Sequence, residues 1–387
     1  MGWTLNSLDL KLVIPLHLAG LFVLCMVCHG ELSLARPAPR HLTGYFLTIS
    51  AGGVLGGLIV GFGAPHVLLG YFELGLVLVL VALLLVLRTR SGMLVMPVAF
   101  AYVTAFAIYF GYKQIDAYDQ SIVALSRNFY GTLRVRALGG PNDAHTLNHG
   151  AIRHGGQLRE PAEKRRIATT YYGIDSGAGA VITALQARHA SIRIGVIGLG
   201  TGTIAAYGRQ GDVIRFYDIN TQVIDFANRY FTFLSDSPAR IELALGDARL
   251  NLEREPAQDL DVLAIDAFSG DSVPAHLLTI EALDVYIRHL KPGGALLFHT
   301  TNRYLELAPV VKMLAESRGM SAVLIEHEPT ADEEDKQLLS NSDWVIVTRN
   351  QSLINLPEIR SRAKDIVLPR GAAHWTDDYN NLFRVLK

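Results

Sequence analysis

Charge is scarce in the first third of this chain. The 387 residues carry 35 Lys+Arg and 36 Asp+Glu. Residues 1–115 hold only six of the basic ones (Lys11, Arg36, Arg40, Arg88, Arg90, Lys113) and three of the acidic ones (Asp9, Glu31, Glu73). The other 29 basic and 33 acidic residues lie beyond, at the density of a water-facing domain. One uniformly aqueous body is therefore excluded, and the length suits two domains. Cysteine is nearly absent: Cys25 and Cys28 sit together in the apolar run "CMVC", with no second ligand pair. That excludes a disulfide framework and gives no thiolate metal site, so the pair is read as packing. A net charge of −1 supplies no basic excess, and no nucleic-acid partner is expected.

What fills the uncharged third is long apolar runs. Leu12–Cys28, Tyr45–Phe62, Val67–Leu87 and Met93–Tyr112 are each of a length to cross about 30 Å of hydrocarbon at about 1.5 Å per residue. A signal peptide is not expected, because Asp9 and Lys11 precede the first run and "HGEL" follows it. Gly53, Gly57 and Gly61 recur every four residues and put bare backbone on one helix face, which predicts close helix packing there. Glu73 and His17 are polar groups at depth that must snorkel, pair or line a cavity. Arg36, Arg40, Arg88 and Arg90 place both of their loops inside, which leaves the C-terminal domain outside after four crossings. A nucleotide-like cosubstrate argues for the cytoplasm instead. A dipping Val67–Leu87 reconciles the two. The expectation is an integral membrane protein of the cell or inner membrane, with the bilayer as partner and a cytoplasmic catalytic domain.

From residue 116 the pattern changes. "SIVALSRNFYGTLRVRAL" and "HTLNHGAIRHGGQL" read as two pairs of short strands, a small β domain over 116–170. From 171 to the end, helix and strand signals alternate: "RIGVIGLG", "VIRFYDI", "IELALGDA", "LDVLAIDAF" and "GGALLFHTT" are strands with helical runs between them. Alternation with buried apolar strands implies a parallel, doubly wound Rossmann-type sheet with its ligand at the carboxyl ends of the strands.

The chemistry concentrates at those ends. Gly198, Gly200 and Gly202 form G-x-G-x-G after a strand, and glycine lets backbone approach a ligand with no Cβ in the way. Asp218 follows Gly198 by 20 residues and ends the next strand, where a carboxylate accepts from ribose hydroxyls. The G-x-G-x-G spacing and Asp247 in "GDA", placed to accept from an adenine amino group, favour S-adenosylmethionine (SAM) over NAD. Asp266 and Asp271 end the fourth strand and face the same ligand. The alternative for Asp247 and Asp266 is helix capping. In "HWTDDYNNLFRVL", Asp377 and Asp378 beside Trp375 and Tyr379 are placed to close over a cationic acceptor; the alternative is a solvated turn. His145, His149 and His154 cluster without further ligands in view and are read as cleft or surface histidines, with no metal expected.

Taken together, these residues resemble the spermidine/spermine synthase family, the aminopropyltransferases, over roughly Asp119–Thr348, in the subset fused to a membrane region. The resemblance implies a SAM-methyltransferase-like fold that uses decarboxylated SAM or SAM as cosubstrate and moves an aminopropyl group to a diamine such as putrescine. It places Gln120 on the nucleoside side and Tyr171 of "TTYYG" as the substrate-facing catalytic tyrosine, with Tyr172 as its substrate-binding neighbour. It makes Asp218 the ribose acid, Asp247 its "Gly-Asp" counterpart and Asp266 the proton acceptor. Two departures stand out. Thr201 occupies the place of the loop aspartate that binds the donor's amine, which predicts a relaxed donor requirement. The second acid of the Asp-Ser-Ser-Asp-Pro stretch is displaced: Ser269 or Gly270 stands near its place, and Asp271 is shifted. A SAM-dependent methyltransferase on the same scaffold and a non-catalytic polyamine or thionucleoside sensor are the alternatives, and a homo-oligomer is left open.

Overall fold

The protein is described by a computed structural model. It covers residues 10–68, 70–88, six positions between 101 and 112, 121–139, 143–150, 152–267, 274–369 and 374–387. The chain divides by contact into Met1–Thr132 and Leu133–Lys387.

In the first unit the apolar runs form helices, despite Pro15 in the first and the glycines within the second. These are α1 (Leu10–Leu34), α2 (Leu42–Leu58) and α3 (Glu73–Arg88). A wide π turn, Ile59–Gly63, carries α2 into a further helical turn, Ala64–Val67. Leu18, Phe22 and Met26 of α1 and Phe46, Leu47 and Val54 of α2 are exposed. Two stretches, His17–Leu34 and Pro39–Val67, are long and apolar enough to cross a bilayer, by length and composition. The run at 93–112 falls mostly outside the described residues. The expected close packing on the glycine face is not present among the described residues, since a Cβ on Gly53, Gly57 or Gly61 would meet nothing within 4 Å. Cys25 and Cys28 are exposed free thiols on α1. Glu73 resolves its depth by pairing: Arg127 of β1 (Ile122–Asn128) meets it at 2.5 Å and donates to the Gly70 carbonyl at 2.7 Å.

In the second unit, β2 (Gly131–Leu138), β3 (Ala144–His149) and β4 (Ile152–Leu158) pair antiparallel in sequence, the hairpins that the alternating pattern predicts. Then α4 (Gly177–Gln186) leads into an eight-stranded sheet. Its strands are β5 (Arg193–Ile197), β6 (Val213–Asp218), β7 (Arg240–Leu245), β8 (Leu260–Ile265), β9 (Leu290–His299), β10 (Ser321–His327), β11 (Ser342–Thr348) and β12 (Ala363–Lys364). Between them run α5 (Thr221–Tyr230), α6 (Ala248–Arg254), α7 (Ile280–Arg288), α8 (Ala308–Ser317) and α9 (Ala331–Gln337). The order is β12-β10-β11-β9-β8-β5-β6-β7. Strands β7-β6-β5-β8-β9 are parallel, in the 3-2-1-4-5 order of a Rossmann-type sheet.

The sheet is mixed rather than wholly parallel: β11 runs antiparallel to β9, and β10 antiparallel to β11. The chain turns back from β10 to β11 through α9 without crossing the sheet, and an antiparallel return needs no crossover. Two boundaries also differ from the sequence reading. "TIAAY" is a short 3₁₀ turn, Thr203–Tyr207, instead of a helix. The "KPGG" segment lies inside β9, with Gly293 at φ +91°. The core forms on both faces of the sheet. Val196, Phe216 and Trp344 bury against α4 on one side, and Tyr286 and Phe298 pack on the other.

Candidate active site

Strands β8, β5, β6 and β7 are neighbours and parallel, so their carboxyl ends share one edge. The glycine turn follows β5, Asp218 ends β6, Asp247 lies two residues past β7, and Asp266 follows β8. This is the edge at which open α/β sheets bind ligands.

The turn is built around its glycines in an unexpected way. Gly198 and Gly200 adopt φ of +97° and +54°, where a side chain is strained. A Cβ on Gly198 would overlap the Asp266 carbonyl, and one on Gly200 would lie 2.7 Å from the His154 carbonyl. The bare faces of these two glycines therefore receive protein backbone from β8 and β4, where the sequence suggested room for ligand. Gly202 is also left-handed, at φ +82°. Thr201 is 1% exposed; its hydroxyl meets that of Thr203 at 2.8 Å, and it packs under Gly155, whose own Cβ would overlap it.

Asp218 holds the turn in place. It accepts from the Leu199 N–H at 3.0 Å and the Asn220 N–H at 2.8 Å. Burial pushes its carboxyl above the ordinary value, against the pull of those two donors. Asp247 does cap a helix: it accepts from the Leu250 N–H at 2.9 Å at the start of α6. Its other oxygen meets His276 Nε2 at 3.0 Å.

Asp266 is the centre of the constellation. Its Oδ2 accepts from the Tyr172 hydroxyl, and its Oδ1 meets His299 Nδ1 at 2.6 Å. The Asp266 and His299 side chains are each 5% exposed. The His299 ring lies between Tyr171 and Trp344, with centroids at 4.5 and 4.7 Å and near-parallel planes. Trp344 Nε1 donates to the Tyr171 carbonyl at 3.0 Å, and Tyr207 donates to the Tyr172 carbonyl at 2.5 Å. Burial first, and then the Asp266 charge, raise both tyrosines well above their ordinary values, so both stay protonated. It is thus Tyr172, expected as the substrate-side neighbour, that bonds Asp266. Tyr171, expected in that place, stacks on His299 and forms the wall of a cavity of about 780 Å³.

Two histidines belong here, His299, which no motif pointed to, and His154, one of the three read as cleft or surface histidines. His299 ends β9, and the pairing of Ile265 with Phe298 sets it level with Asp266. The strand-end position in "LLFHTT" was the only signal in the sequence. His154 is half-buried, and its Nε2, which is shielded from solvent, has no hydrogen-bond partner among the described residues. Burial, and then His149, push it down to about 4, with the Asp266 charge opposing. His145, by contrast, serves packing: its Nδ1 meets the Tyr230 carbonyl at 3.0 Å, and its ring sits edge-on to Phe231.

The C-terminal acids go elsewhere. Arg249 grips Asp377 with two bonds of 2.6 Å, and Thr279 adds a third at 2.9 Å. The Arg249 bonds hold the Asp377 carboxyl below its ordinary value. Asp377 faces a cavity of about 420 Å³ together with Asp247, not the one walled by Tyr171. Its charge is matched by Arg249. Asp378 is exposed. Gln120 and Asp271, with Ser269 and Gly270, lie outside the described residues.

No family model matches the chain. A curated polyamine aminopropyltransferase of Vibrio vulnificus (strain CMCP6) is 32% identical over 113 residues, 28% of this chain and 37% of that protein. A probable polyamine aminopropyl transferase of Bifidobacterium longum (strain NCC 2705) is 30% identical over 104 residues, 26% of this chain and 22% of that one. The chain therefore matches well under half the length of these curated relatives. Among solved structures, a probable spermidine synthase from Corynebacterium glutamicum ATCC 13032 aligns at 15% identity and TM-score 0.49, covering 62% of this chain and 84% of that one. Spermidine synthase from Thermotoga maritima aligns at 12% identity and TM-score 0.44, covering 64% and 81%. The two curated matches carry the aminopropyltransferase name over about a quarter of this chain.

Proposed function

We propose that the protein is an aminopropyltransferase-like enzyme that takes an S-adenosylmethionine-type sulfonium, in decarboxylated form, and an amine acceptor such as putrescine. The observation that carries the reading is Asp266 at the end of β8, bonded on one oxygen by Tyr172 and on the other by His299, beside the glycine turn. Curated relatives that carry the aminopropyltransferase name support it.

The chemistry follows from charge. An acceptor amine arrives as an ammonium, with a pKa of about 10 by analogy with lysine. Asp266 attracts that cation and takes one proton from it. The freed lone pair attacks the methylene beside sulfur; the C–N bond forms as the C–S bond breaks, and the sulfonium leaves as a neutral thioether. Tyr172 and His299 fix the carboxylate in place, so alignment supplies much of the rate. Asp218 at the ribose and Asp247 at the adenine are the donor-side assignments, and Gln120 and Asp271 remain assigned by resemblance alone. The apolar helices α1 and α2 would hold the enzyme at a bilayer, with the catalytic unit on the cytoplasmic face.

The test is mass spectrometry of products from the full chain with decarboxylated SAM and putrescine. Asp266→Asn is expected to lower turnover by about 10²-fold or more. Equal turnover by both proteins removes Asp266 from the reaction. One observation favours a second reading: neutral, buried Thr201 supplies no carboxylate for a donor amine. With ordinary SAM, transfer of a methyl group in the same assay would replace the aminopropyl reading by a methyltransferase.

A further inference from the structure

Several arginines are held by carboxylates. Arg215 is held by Glu242 and Glu255, Arg249 by Asp377 and Glu253, and Arg318 by Asp284. Arg153 of β4 is the exception at a cavity. It lines the space of about 780 Å³ that ends on Tyr171, and among the described residues it has neither an ion pair nor a hydrogen bond. Its side chain is exposed. The surrounding protein nevertheless desolvates it and pushes its pKa down, with Tyr171 and Glu334 opposing. Opposite it stands α9. Glu334 lines the same cavity and also lacks an ion-pair partner among the described residues. Arg153 and Glu334 do not close on each other, and Asp335 lines the cavity beside Glu334, so the cavity presents one cation facing two carboxylates. At its inner end Tyr171 stacks on His299, whose other contact is Asp266.

An unmatched guanidinium is a poor neighbour for a simple diamine, which brings only positive charge. It is a good one for a carboxylate, which arginine binds through a fork of parallel N–H donors. We propose that the acceptor is an amine bearing a carboxylate, of the α,ω-diamino acid class. Arg153 takes the carboxylate, Glu334 takes the adjacent ammonium, and the terminal amine points past Tyr171 to Asp266. This rests on the amine-acceptor reading of the site, and it narrows the substrate class within that reading.

Ornithine and putrescine differ by the carboxylate alone, as do lysine and cadaverine. Binding of all four to the full-length protein is measured by calorimetry, and turnover with decarboxylated SAM by product mass. Ornithine or lysine is expected to bind at least tenfold more tightly than its decarboxylated counterpart, and to show the same order in kcat/KM. Arg153→Ala is expected to lower that preference ratio about 10–100-fold, the range for a charge-assisted pair, and Arg153→Glu to turn it toward the diamines. Equal or better binding of the diamines by the wild-type protein overturns the proposal, as does binding of none of the four. An unchanged ratio in Arg153→Ala also overturns it. Tight ornithine or lysine binding without turnover upholds the proposal and instead defeats the aminopropyl-transfer reading.

Discussion

His154 shows what one half-buried, uncharged side chain costs when the pH changes. Its imidazole is held neutral down to about pH 4, whereas an unfolded histidine protonates near 6.5. Below about pH 6.5 the unfolded chain therefore takes up a proton that the folded one refuses, and stability is lost progressively until about pH 4. The full loss is on the order of 3 kcal/mol for that gap. His154→Gln should flatten the loss between pH 6.5 and 4 in urea titrations; an unchanged slope would mean that the imidazole is not held neutral. Tyr171 and Tyr172 make a different point at the same scale. Adjacent tyrosines are interchangeable in a sequence, and here the backbone bonds from Trp344 and Tyr207 decide which one reaches Asp266.

Among elements, the glycine turn was legible because strand, turn and terminal acid recur in a fixed order. Asp218, Asp247 and Asp266 all lie where that order puts them. His299 was not legible, since a lone histidine ending a strand has many uses. Its role depends on β9 lying beside β8 in one register, and nothing local encodes that neighbour. The partner of Asp377 was hidden for the same reason: Arg249 lies 128 residues earlier. The direction of β11 was also hidden, because alternation of helix and strand reads alike for parallel and antiparallel returns. The turn itself gives a sharp prediction. Gly200→Ala forces a side chain into φ +54° and sets its Cβ 2.7 Å from the His154 carbonyl. The expected destabilisation is roughly 2 kcal/mol or more, read as a lowered urea midpoint at constant slope. Tolerance of alanine there would show that β4 does not rest on the turn.

For the whole molecule, the split in charge between the first 115 residues and the remainder has a physical readout. Leu18, Phe22, Phe46 and Val54 are exposed on helices of spanning length. The full chain is expected in the membrane fraction and should resist extraction by alkaline carbonate. Recovery in the soluble fraction would show that these helices find protein partners instead. The two sheets of the second unit interlock: Thr201 fits under Gly155, and the Gly200 backbone lies against that of His154. Neither sheet has a finished surface at that seam. A protease should therefore release no small-sheet fragment from the native protein, and calorimetry of the second unit should show one melting endotherm in place of two.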